Sequence, residues 1–518
     1  MVFAPNLATR GMVASPHALA SAAGADALRA GGSAVDAAIA TAATLGVVYP
    51  HMCGIGGDAF WLIYDAAADK VSYLDGGGRA AAAAKLDRFH GQTEIAFRGL
   101  VPATLTTPGA VASFCEAHAR HGKLPLARCL QDAIHYARDG YPVTARLARW
   151  IEQTRSEFDA ASAALFRYDG KVLRNPALAR TMESIAAQGR AGFYEGEVAR
   201  KLAALGGMFR EGDLAAQRAY WGEPIRGSYR GVTIYETPAP TQGFTVLEML
   251  NLIEPLKLGD YLGADHVHLL VQAKQIAYHD RDRWLGDPRF GEVPIERLIS
   301  RAHADARRAL IDPKGALPWD KVPSYGSLKG DTAYVAAVDA QGNAASLIFS
   351  LYGVFGACVT SAETGVVLQN RGAYFSLDPK HPNRLEPGKV PLHTLIASLA
   401  FKDEKLWAVL GCMGADGQPQ IHVQTYVAMI DFGLDIQQAL AMPRWLSGRF
   451  ALGEARDTLH IEARYPRATI DELERRGHPL DRWDDWNELA GHANGITVED
   501  GILKGGFDPR SDGAAIGY

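Results

Sequence analysis

Two apolar runs joined by a short polar turn stand in the last third of the sequence and predict a buried β-hairpin. The runs cover residues 333–338 and 344–351, and the connection between them has the aspartate, glycine and asparagine content of a hairpin turn. If the turn is centred on Gln341, Thr332 lies opposite Ser350, and residues paired in this way have Cβ atoms roughly 5 Å apart. The two hydroxyl groups are then neighbours. Such a pair is either incidental to a core hairpin or part of a reactive site.

Thr332 stands where a cut in the chain would make it reactive. A threonine hydroxyl is a weak nucleophile without a base beside it, and cleavage after Asp331 would supply that base as the new α-amino group, with a pKa of about 8. The same dipeptide recurs at Asp457 and Thr458, so the dipeptide alone carries no weight. Residues 311–329, however, are rich in proline and glycine and precede the proposed cut, as an exposed connection would. Thr332 is therefore a candidate N-terminal nucleophile, and the bond before it is the candidate cleavage site.

The composition gives no sign of a nucleic-acid or membrane partner. The 518 residues are enough for a large core, and the formal net charge of −5 provides no basic surface for nucleic acid. No apolar run approaches the length of a membrane span, and the N-terminus lacks the apolar stretch of an export signal. The five cysteines are odd in number and scattered, which favours free thiols. We therefore expect a cytoplasmic protein and, because no CxxC or HExxH pattern occurs, no metal and no cofactor.

Short motifs follow one another in a fixed order from one end of the chain to the other. They are MVASPH at 12–17, AGGSAVDAA at 30–38, GIGGD at 54–58, DLA at 213–215, RGSYRG at 226–231, PAPTQG at 238–243, DRDRWLGDP at 280–288 and DPRSDGAA at 508–515. In these motifs the chain resembles the γ-glutamyltransferase family of N-terminal-nucleophile hydrolases over nearly its whole length. So many matches in order make chance an implausible explanation.

The resemblance implies a fold that local patterns alone would leave as mixed helix and strand. It implies the α+β class, with the four-layer αββα sandwich of N-terminal-nucleophile hydrolases. It also implies two fragments of one precursor, a helix-rich large fragment of residues 1–331 and a small fragment of residues 332–518 that begins with the nucleophile. After self-cleavage the two fragments would stay associated as one intertwined domain, and a higher homo-oligomer remains open.

The same resemblance implies roles for residues in the second fragment. Thr332 would be the nucleophile for both the cut and the turnover of substrate, with Ser350 beside it. The glycine-containing turn at 410–417 offers backbone N–H groups for the negative charge that develops on an attacked carbonyl oxygen. Matching the family's oxyanion pair places those donors at Gly414 and Ala415. A plain connection between a strand and a helix is the competing interpretation of this turn.

Substrate recognition is where the chain departs from the family's γ-glutamyl enzymes. The arginine that holds the substrate carboxylate is displaced by two positions, to Arg79, and the serine pair that assists it is replaced by His393 and Thr394. Tyr374 stands where the family has the acidic residue for the substrate ammonium group, and Arg371 replaces an uncharged polar residue. Burying an unpaired ammonium group costs several kcal/mol, so glutathione should be a poor substrate. The pattern is similar to the branch that contains oxamate amidohydrolase, and it implies a small-molecule amide with an anionic acyl group.

Several alternatives remain open from the sequence. Within enzymes, the chain is either a γ-glutamyl hydrolase or transferase, or an acylase of the cephalosporin or glutaryl kind. Outside enzymes, it is an unprocessed, inactive relative that serves as a binding protein. At the level of single residues, His393 is either a substrate contact or a buried structural histidine, and Arg371 is either a substrate contact or half of a structural ion pair.

Overall fold

The computed structural model describes residues 4–100, 104–168, 170–323, 331–448 and 455–518. The strands in these ranges are β1 Asn6–Ala8, β2 Met12–Ser15, β3 Asp58–Asp65, β4 Lys70–Gly76, β5 Tyr141–Pro142, β6 Val172–Leu173, β7 Tyr220–Gly222, β8 Ile225–Tyr229, β9 Val232–Glu236, β10 Asp331–Val338, β11 Ala344–Tyr352, β12 Ser398–Lys402, β13 Lys405–Cys412, β14 Trp445–Ser447, β15 Leu459–Glu462, β16 Leu480–Trp483, β17 Ala493–Glu499, β18 Ile502–Phe507 and β19 Ala514–Gly517.

The helices lie mainly before β10. They are α1 Ala18–Arg29, α2 Ala34–Val48, α3 Ala110–His121, α4 Leu126–Asp139, α5 Ala145–Thr154, α6 Ala160–Leu165, α7 Pro176–Gln188, α8 Ala191–Tyr194, α9 Gly196–Ala203, α10 Glu211–Ala216, α11 Phe244–Ile253, α12 Ala264–Trp284, α13 Ile295–Leu298, α14 Arg301–Arg308, α15 Gln418–Ile430, α16 Ile436–Ala441 and α17 Arg467–Arg475. Short 3-10 turns occur at Leu86–Phe89, Arg155–Glu157, Arg371–Tyr374, Ala415–Gly417 and Glu488–Ala490.

Two seven-stranded antiparallel sheets pack face to face at the centre. One has the strand order β19-β2-β10-β11-β3-β4-β7, and the other has the order β1-β18-β17-β13-β12-β9-β8. Helices α1, α2 and α3 pack on the outer face of the first sheet, and α11, α15 and α16 pack on the outer face of the second. Helices α4 and α12 pack on these helices, α4 against α2 and α12 against α11. The predicted α+β class and the four-layer αββα sandwich are therefore confirmed.

The hairpin of β10 and β11 lies at the centre of the first sheet and is buried on both faces. Side chains alternate along β10, so that Tyr334 and Ala336 pack between the two sheets while Ala333 and Val335 pack under the helices. This double coverage explains why the strand reads as a continuous apolar run rather than as an alternation of apolar and polar residues.

Helix α2 shows how the covering layer is fixed. Every one of its residues is buried, as expected for a helix that is apolar on all sides. Its start is held by a capping box, in which the Ser33 hydroxyl accepts from the Asp36 N–H at 3.1 Å and the Asp36 carboxylate accepts from the Ser33 N–H at 2.8 Å. The helix packs against the hairpin of β10 and β11.

Both central sheets draw strands from each side of the predicted cleavage site. In the first sheet, β10, β11 and β19 follow residue 331 or begin at it, whereas β2, β3, β4 and β7 precede it. The second sheet is mixed in the same way. Fragments 1–331 and 332–518 would therefore share one core, although the cut itself stays a prediction. The predicted exposed connection at 311–329 lies outside the described residues from residue 324 onward.

No helix in the described part of the chain combines the length and the apolar character that crossing a membrane requires.

Candidate active site

A β-bulge at the start of β10 sets the position of Thr332. From Ala333, which pairs with Phe349, to Val338, the register is the one predicted from a turn centred on Gln341. The register then shifts by one residue, and Asp331 pairs with Tyr352. Thr332 thus lies at an irregularity that bends the strand and turns its side chain out of the regular ladder, and it is 1% exposed.

The Ser350 hydroxyl is the hub of the hydrogen bonds around Thr332. It accepts from the Thr332 hydroxyl at 3.3 Å and from the Tyr352 N–H at 2.8 Å, and it donates to the carbonyl oxygen of Asp331 at 2.6 Å. The proximity of the two hydroxyl groups follows the sequence analysis. The bond to the Asp331 carbonyl was not anticipated, because it depends on the bulge. Ser350 therefore touches both the candidate nucleophile and the carbonyl group that a self-cleavage would attack.

The turn after β13 presents two backbone donors without acceptors. Gly414 has φ 150° and Ala415 has φ 47°, so the alanine adopts a left-handed conformation that costs about 1–2 kcal/mol. Both residues are buried, and no acceptor for the N–H of either is found in the described ranges. Since buried N–H groups are nearly always paired, two consecutive unpaired ones point to a bound oxygen atom. This geometry is what an oxyanion site requires.

Arg371 is buried without a carboxylate partner. Its side chain is 1% exposed, its Nη1 donates to the Thr394 hydroxyl at 3.3 Å, and its guanidinium carbon lies 4.1 Å from the ring centroid of Tyr352. The Nε and Nη2 groups have no hydrogen-bond partner, and in the described part of the chain no carboxylate forms an ion pair with Arg371. Burial lowers the pKa of Arg371, and Tyr352 and Asp58 oppose that shift. The guanidinium group nevertheless stays charged, so this is a buried cation with no ion pair among the described residues.

His393 is held at both ring nitrogens by protein groups. Its Nε2 lies 2.8 Å from the Asp58 carboxylate and its Nδ1 lies 2.7 Å from the Pro391 carbonyl. The other Asp58 oxygen accepts from the N–H groups of Gly78 and Gly109 and from the amide of Gln369. Burial, and then the charge of Arg371, lowers the pKa of His393, while the bonds to Asp58 and Pro391 oppose the shift. In this arrangement His393 orients the segment that carries Thr394.

Tyr374 and the turn after β13 meet through a carboxylate. The Tyr374 hydroxyl lies 3.0 and 3.1 Å from the two oxygens of Asp416, and Arg281 binds the same carboxylate. Burial, followed by the Asp416 charge, raises the pKa of Tyr374 well above its usual value. The phenol proton is therefore committed to Asp416.

Arg79 is the one predicted site residue that does not join the others. Its guanidinium group donates to the Gly388 carbonyl at 3.1 Å and lies 4.9 Å from the ring centroid of Tyr220. Tyr220 is 46% exposed, so the arginine points toward the molecular surface.

In the part of the chain that the structure describes, two largely buried clusters have ligand types that metals use. Asp36, His118 and Cys129 form one, but the Asp36 carboxylate already accepts from Ser33 and from two backbone N–H groups beyond the helix. Glu248, Asp280 and His303 form the other, in which His303 lies 2.9 Å from Asp280 and 3.5 Å from Glu248. Arg307 also pairs with Asp280 at 3.2 Å, so the Asp280 carboxylate already contacts both His303 and Arg307. Neither cluster lies among the candidate site residues.

Known proteins resemble this chain over nearly its whole length. A family model described as Gamma-glutamyltranspeptidase matches residues 20–518. The glutathione hydrolase-like YwrD proenzyme of Bacillus subtilis is 39% identical over 528 residues, and the oxamate amidohydrolase proenzyme of Klebsiella pneumoniae is 39% identical over 531 residues, each with 99% of both chains covered. The crystal structure of cephalosporin acylase from Bacillus halodurans is 35% identical with a TM-score of 0.92, covering 100% of this chain and 97% of the other. All three are named as hydrolases or acylases.

Proposed function

This chain belongs to the gamma-glutamyltranspeptidase family, and on that premise we propose that it is a self-cleaving N-terminal-threonine amidohydrolase whose substrates carry a small anionic acyl group, such as oxamate. It is an enzyme of the N-terminal-nucleophile type, acting on an amide bond by hydrolysis or acyl transfer. The identity of the threonine, the two-fragment product and the acyl group are the parts that we propose.

Maturation begins with attack of the Thr332 oxygen on the carbonyl carbon of Asp331. The C–O bond forms as the C–N bond to Thr332 breaks, and the hydroxyl proton ends on the nitrogen that leaves. The Ser350 hydroxyl, 2.6 Å from the Asp331 oxygen, stabilises the charge that develops there. Water then hydrolyses the ester, which leaves a carboxylate at Asp331 and a free amine at Thr332.

Turnover uses the groups that maturation has released. The Thr332 amine, with a pKa of about 8, takes the hydroxyl proton as the oxygen attacks the substrate amide. The tetrahedral oxyanion is stabilised by the N–H groups of Gly414 and Ala415, which have no other acceptor in the described ranges. The substrate nitrogen accepts the proton and departs as ammonia, or as an amine where the amide is substituted, and water releases the acyl group from the threonine ester.

The observation that carries the substrate class is the buried charge of Arg371, which forms no ion pair with any described residue. A buried guanidinium group with two unused nitrogens is costly in the free protein, and a substrate carboxylate would satisfy both the charge and the hydrogen bonds. A substrate ammonium group at the same place would instead meet a like charge. The charge of Arg371 therefore supports oxamate-like substrates over γ-glutamyl substrates. The relatives alone do not decide between the two, because the glutathione hydrolase-like YwrD proenzyme and the oxamate amidohydrolase proenzyme are equally identical to this chain.

A comparison of oxamate with oxamide tests this proposal. The two molecules have nearly the same shape, but oxamide has an uncharged amide where oxamate has its carboxylate. We expect kcat/KM for oxamate to exceed that for oxamide by at least about 100-fold, because charge-assisted hydrogen bonds to a buried arginine contribute about 3 kcal/mol. Equal rates, or dominant turnover of γ-glutamyl-p-nitroanilide in the same panel, would contradict it.

The acylase alternative is favoured by a specific observation, the close match to a cephalosporin acylase. Glutaryl-p-nitroanilide in the panel separates that alternative, because a glutaryl group is anionic but longer than oxamate. The binding-protein alternative predicts one intact band on a denaturing gel. We further propose that the two fragments stay associated and that the protein is cytoplasmic, which all five cysteines as free thiols support.

A further inference from the structure

Two buried polar side chains that precede the proposed cut hold the turn of Gly414 and Ala415 that follows it. Gln242 lies in the PAPTQG motif and is 0% exposed, and Arg281 lies near the end of α12 and is 2% exposed. The proposed chemistry uses neither side chain. Both nevertheless reach across more than 130 residues of sequence to the candidate oxyanion turn.

The side-chain amide of Gln242 links the turn of Gly414 and Ala415 to the pocket around Arg371. Its Nε2 donates to the carbonyl oxygens of Ala415 at 3.0 Å and Thr394 at 2.8 Å. Its Oε1 accepts from Arg281 at 2.8 Å. Because arginine can only donate, this bond fixes which end of the amide is oxygen and therefore which end holds the two carbonyls. Thr394 is also the residue whose hydroxyl contacts Arg371.

Arg281 fixes the other side of the same turn. It binds the Asp416 carboxylate directly after Ala415, and it donates to Asp282 at 2.7 and 2.9 Å. The Tyr278 hydroxyl, one helical turn earlier, donates to the Asp416 carbonyl. The two peptide planes that follow Ala415 are thus held by side chains of α12 and by Gln242. Such anchoring keeps Ala415 in its left-handed conformation, from which a relaxed φ would rotate the N–H groups away.

We propose that Gln242 and Arg281 are positioning residues that aim the N–H groups of Gly414 and Ala415 and set their distance from the Arg371 pocket. This inference rests on the proposed function and deepens it, because it makes the large fragment responsible for the geometry of an oxyanion site in the small fragment. Donors aimed at a transition state raise kcat more than they lower KM. Maturation does not depend on this turn, because the carbonyl attacked then is held by Ser350.

The decisive variant is Gln242→Met, which keeps the length of the side chain and removes its donors and acceptor. With the best substrate of the panel, whichever acyl group that is, we expect kcat to fall about 30-fold and KM to change less than threefold, since the loss of an oxyanion donor itself costs about 100- to 1000-fold. The half-life of the precursor should stay within a factor of two of the wild type. Arg281→Lys keeps the charge and loses the fork, so its kcat should fall about five- to tenfold.

Gln424 provides a matched control on α15. It is 2% exposed, and its amide donates to the carbonyls of Gln420 and Trp445 at 3.1 and 2.9 Å, so Gln424→Met removes the same kind of bonds away from the turn. Gln424→Met should lose about as much thermal stability as Gln242→Met and keep kcat within a factor of two of the wild type.

Failure of this inference is distinguishable from failure of the proposed function. A Gln242→Met enzyme that self-cleaves and keeps the wild-type kcat overturns the positioning role, as does an equal loss of kcat in Gln424→Met. A wild type that turns over no amide of the panel overturns the proposed function and, with it, this role. Normal self-cleavage of Gln242→Met shows that the variant has folded, so a fall in kcat with unchanged KM and normal maturation supports the proposal.

Discussion

The hairpin of β10 and β11, which carries Thr332, differs from the pocket around Arg371, Gly414 and Ala415 in how its polar groups are paired. At the hairpin, Ser350 accepts two hydrogen bonds and donates a third, so its hydrogen-bonding capacity is filled by residues of the hairpin itself. In the pocket, Arg371 has two nitrogens without a partner, and the N–H groups of Gly414 and Ala415 have no acceptor among the described residues. The first region satisfies its own polar groups, and the second presents donors that a carboxylate and a carbonyl oxygen would pair with.

This difference separates the two reactions that we propose. In this proposal self-cleavage uses the hairpin and water, so it can follow folding without a substrate. Turnover needs the pocket, where each unsatisfied buried group costs about 1–3 kcal/mol until a substrate pairs with it. The unpaired groups of the pocket therefore lower the stability of the free protein and strengthen substrate binding and catalysis. Functional sites commonly show this trade-off.

Replacement of Thr332 should have the largest effect, because its hydroxyl group is the nucleophile in both proposed reactions. Thr332→Ala is expected to abolish self-cleavage and turnover together, whereas Thr332→Ser should retain some of each. Denaturing gels and an amidase assay on the same preparations measure both. If purified Thr332→Ala still splits into fragments of 331 and 187 residues, the autocatalytic proposal is wrong.

Replacement of Arg371 should separate the two regions most sharply. Arg371→Met is expected to mature normally while kcat/KM for oxamate falls about 100- to 1000-fold, because about 3–4 kcal/mol of charge-assisted bonding is lost. Its free energy of unfolding should rise by about 1–3 kcal/mol, since an unpaired buried charge is removed. Enzyme kinetics and denaturant titrations measure the two effects.

Arg444 supplies the matched control for this variant. It is also fully buried, but it pairs with Asp508 and donates to the carbonyls of Leu440, Ala490 and Gly491. Arg444→Met should therefore lower the free energy of unfolding by about 3–5 kcal/mol. Destabilisation of both variants by a similar amount would mean that Arg371 is also a structural cation, and the contrast between the regions would not hold.

Ser350 tests the hairpin side of the comparison. Ser350→Ala removes the bonds to the Asp331 carbonyl and to the Thr332 hydroxyl, so the precursor half-life should lengthen about 10- to 100-fold, and turnover should fall with it, from a loss of about 1–3 kcal/mol. Ser350→Thr keeps the hydroxyl and should be nearly silent. A time course of precursor loss decides between them, and processing of Ser350→Ala at the wild-type rate would remove Ser350 from the mechanism.

The smallest effect is expected at Tyr374. Tyr374→Phe removes one hydrogen bond to Asp416, a carboxylate that Arg281 continues to hold, so kcat should fall about three- to tenfold with unchanged maturation. Steady-state kinetics beside a precursor time course measure this. A slower maturation in Tyr374→Phe would show that the pocket and the hairpin are coupled before the cut.

The sequence predicted the hairpin and its register because the side-chain period of a strand is two and the turn has a clear composition. It did not predict the bulge at Asp331, because a shift of one residue depends on local backbone geometry that composition does not record. The order of the four layers came from family resemblance, since strands that are buried on both faces do not alternate.

The site, too, was predictable from the sequence only in part. Arg371, His393 and Thr394 are buried and the half-buried Tyr374 lies near them, whereas Arg79 stacks on Tyr220 nearer the surface. Gln242 lies 173 residues before Ala415, and no periodicity within its own segment signals that contact. The motif around it was visible in the sequence, but only the fold shows what its glutamine binds.

The mass and N-terminus of the wild-type protein after incubation test the central claim most directly. Intact-mass measurement should give two fragments of 331 and 187 residues, and the two should migrate together under native conditions. N-terminal sequencing of the smaller fragment should read Thr-Ala-Tyr-Val from Thr332. An intact chain of 518 residues that hydrolyses amides, or a break at any other bond, would contradict the account, because Thr332 would then have no free amine to act as its base.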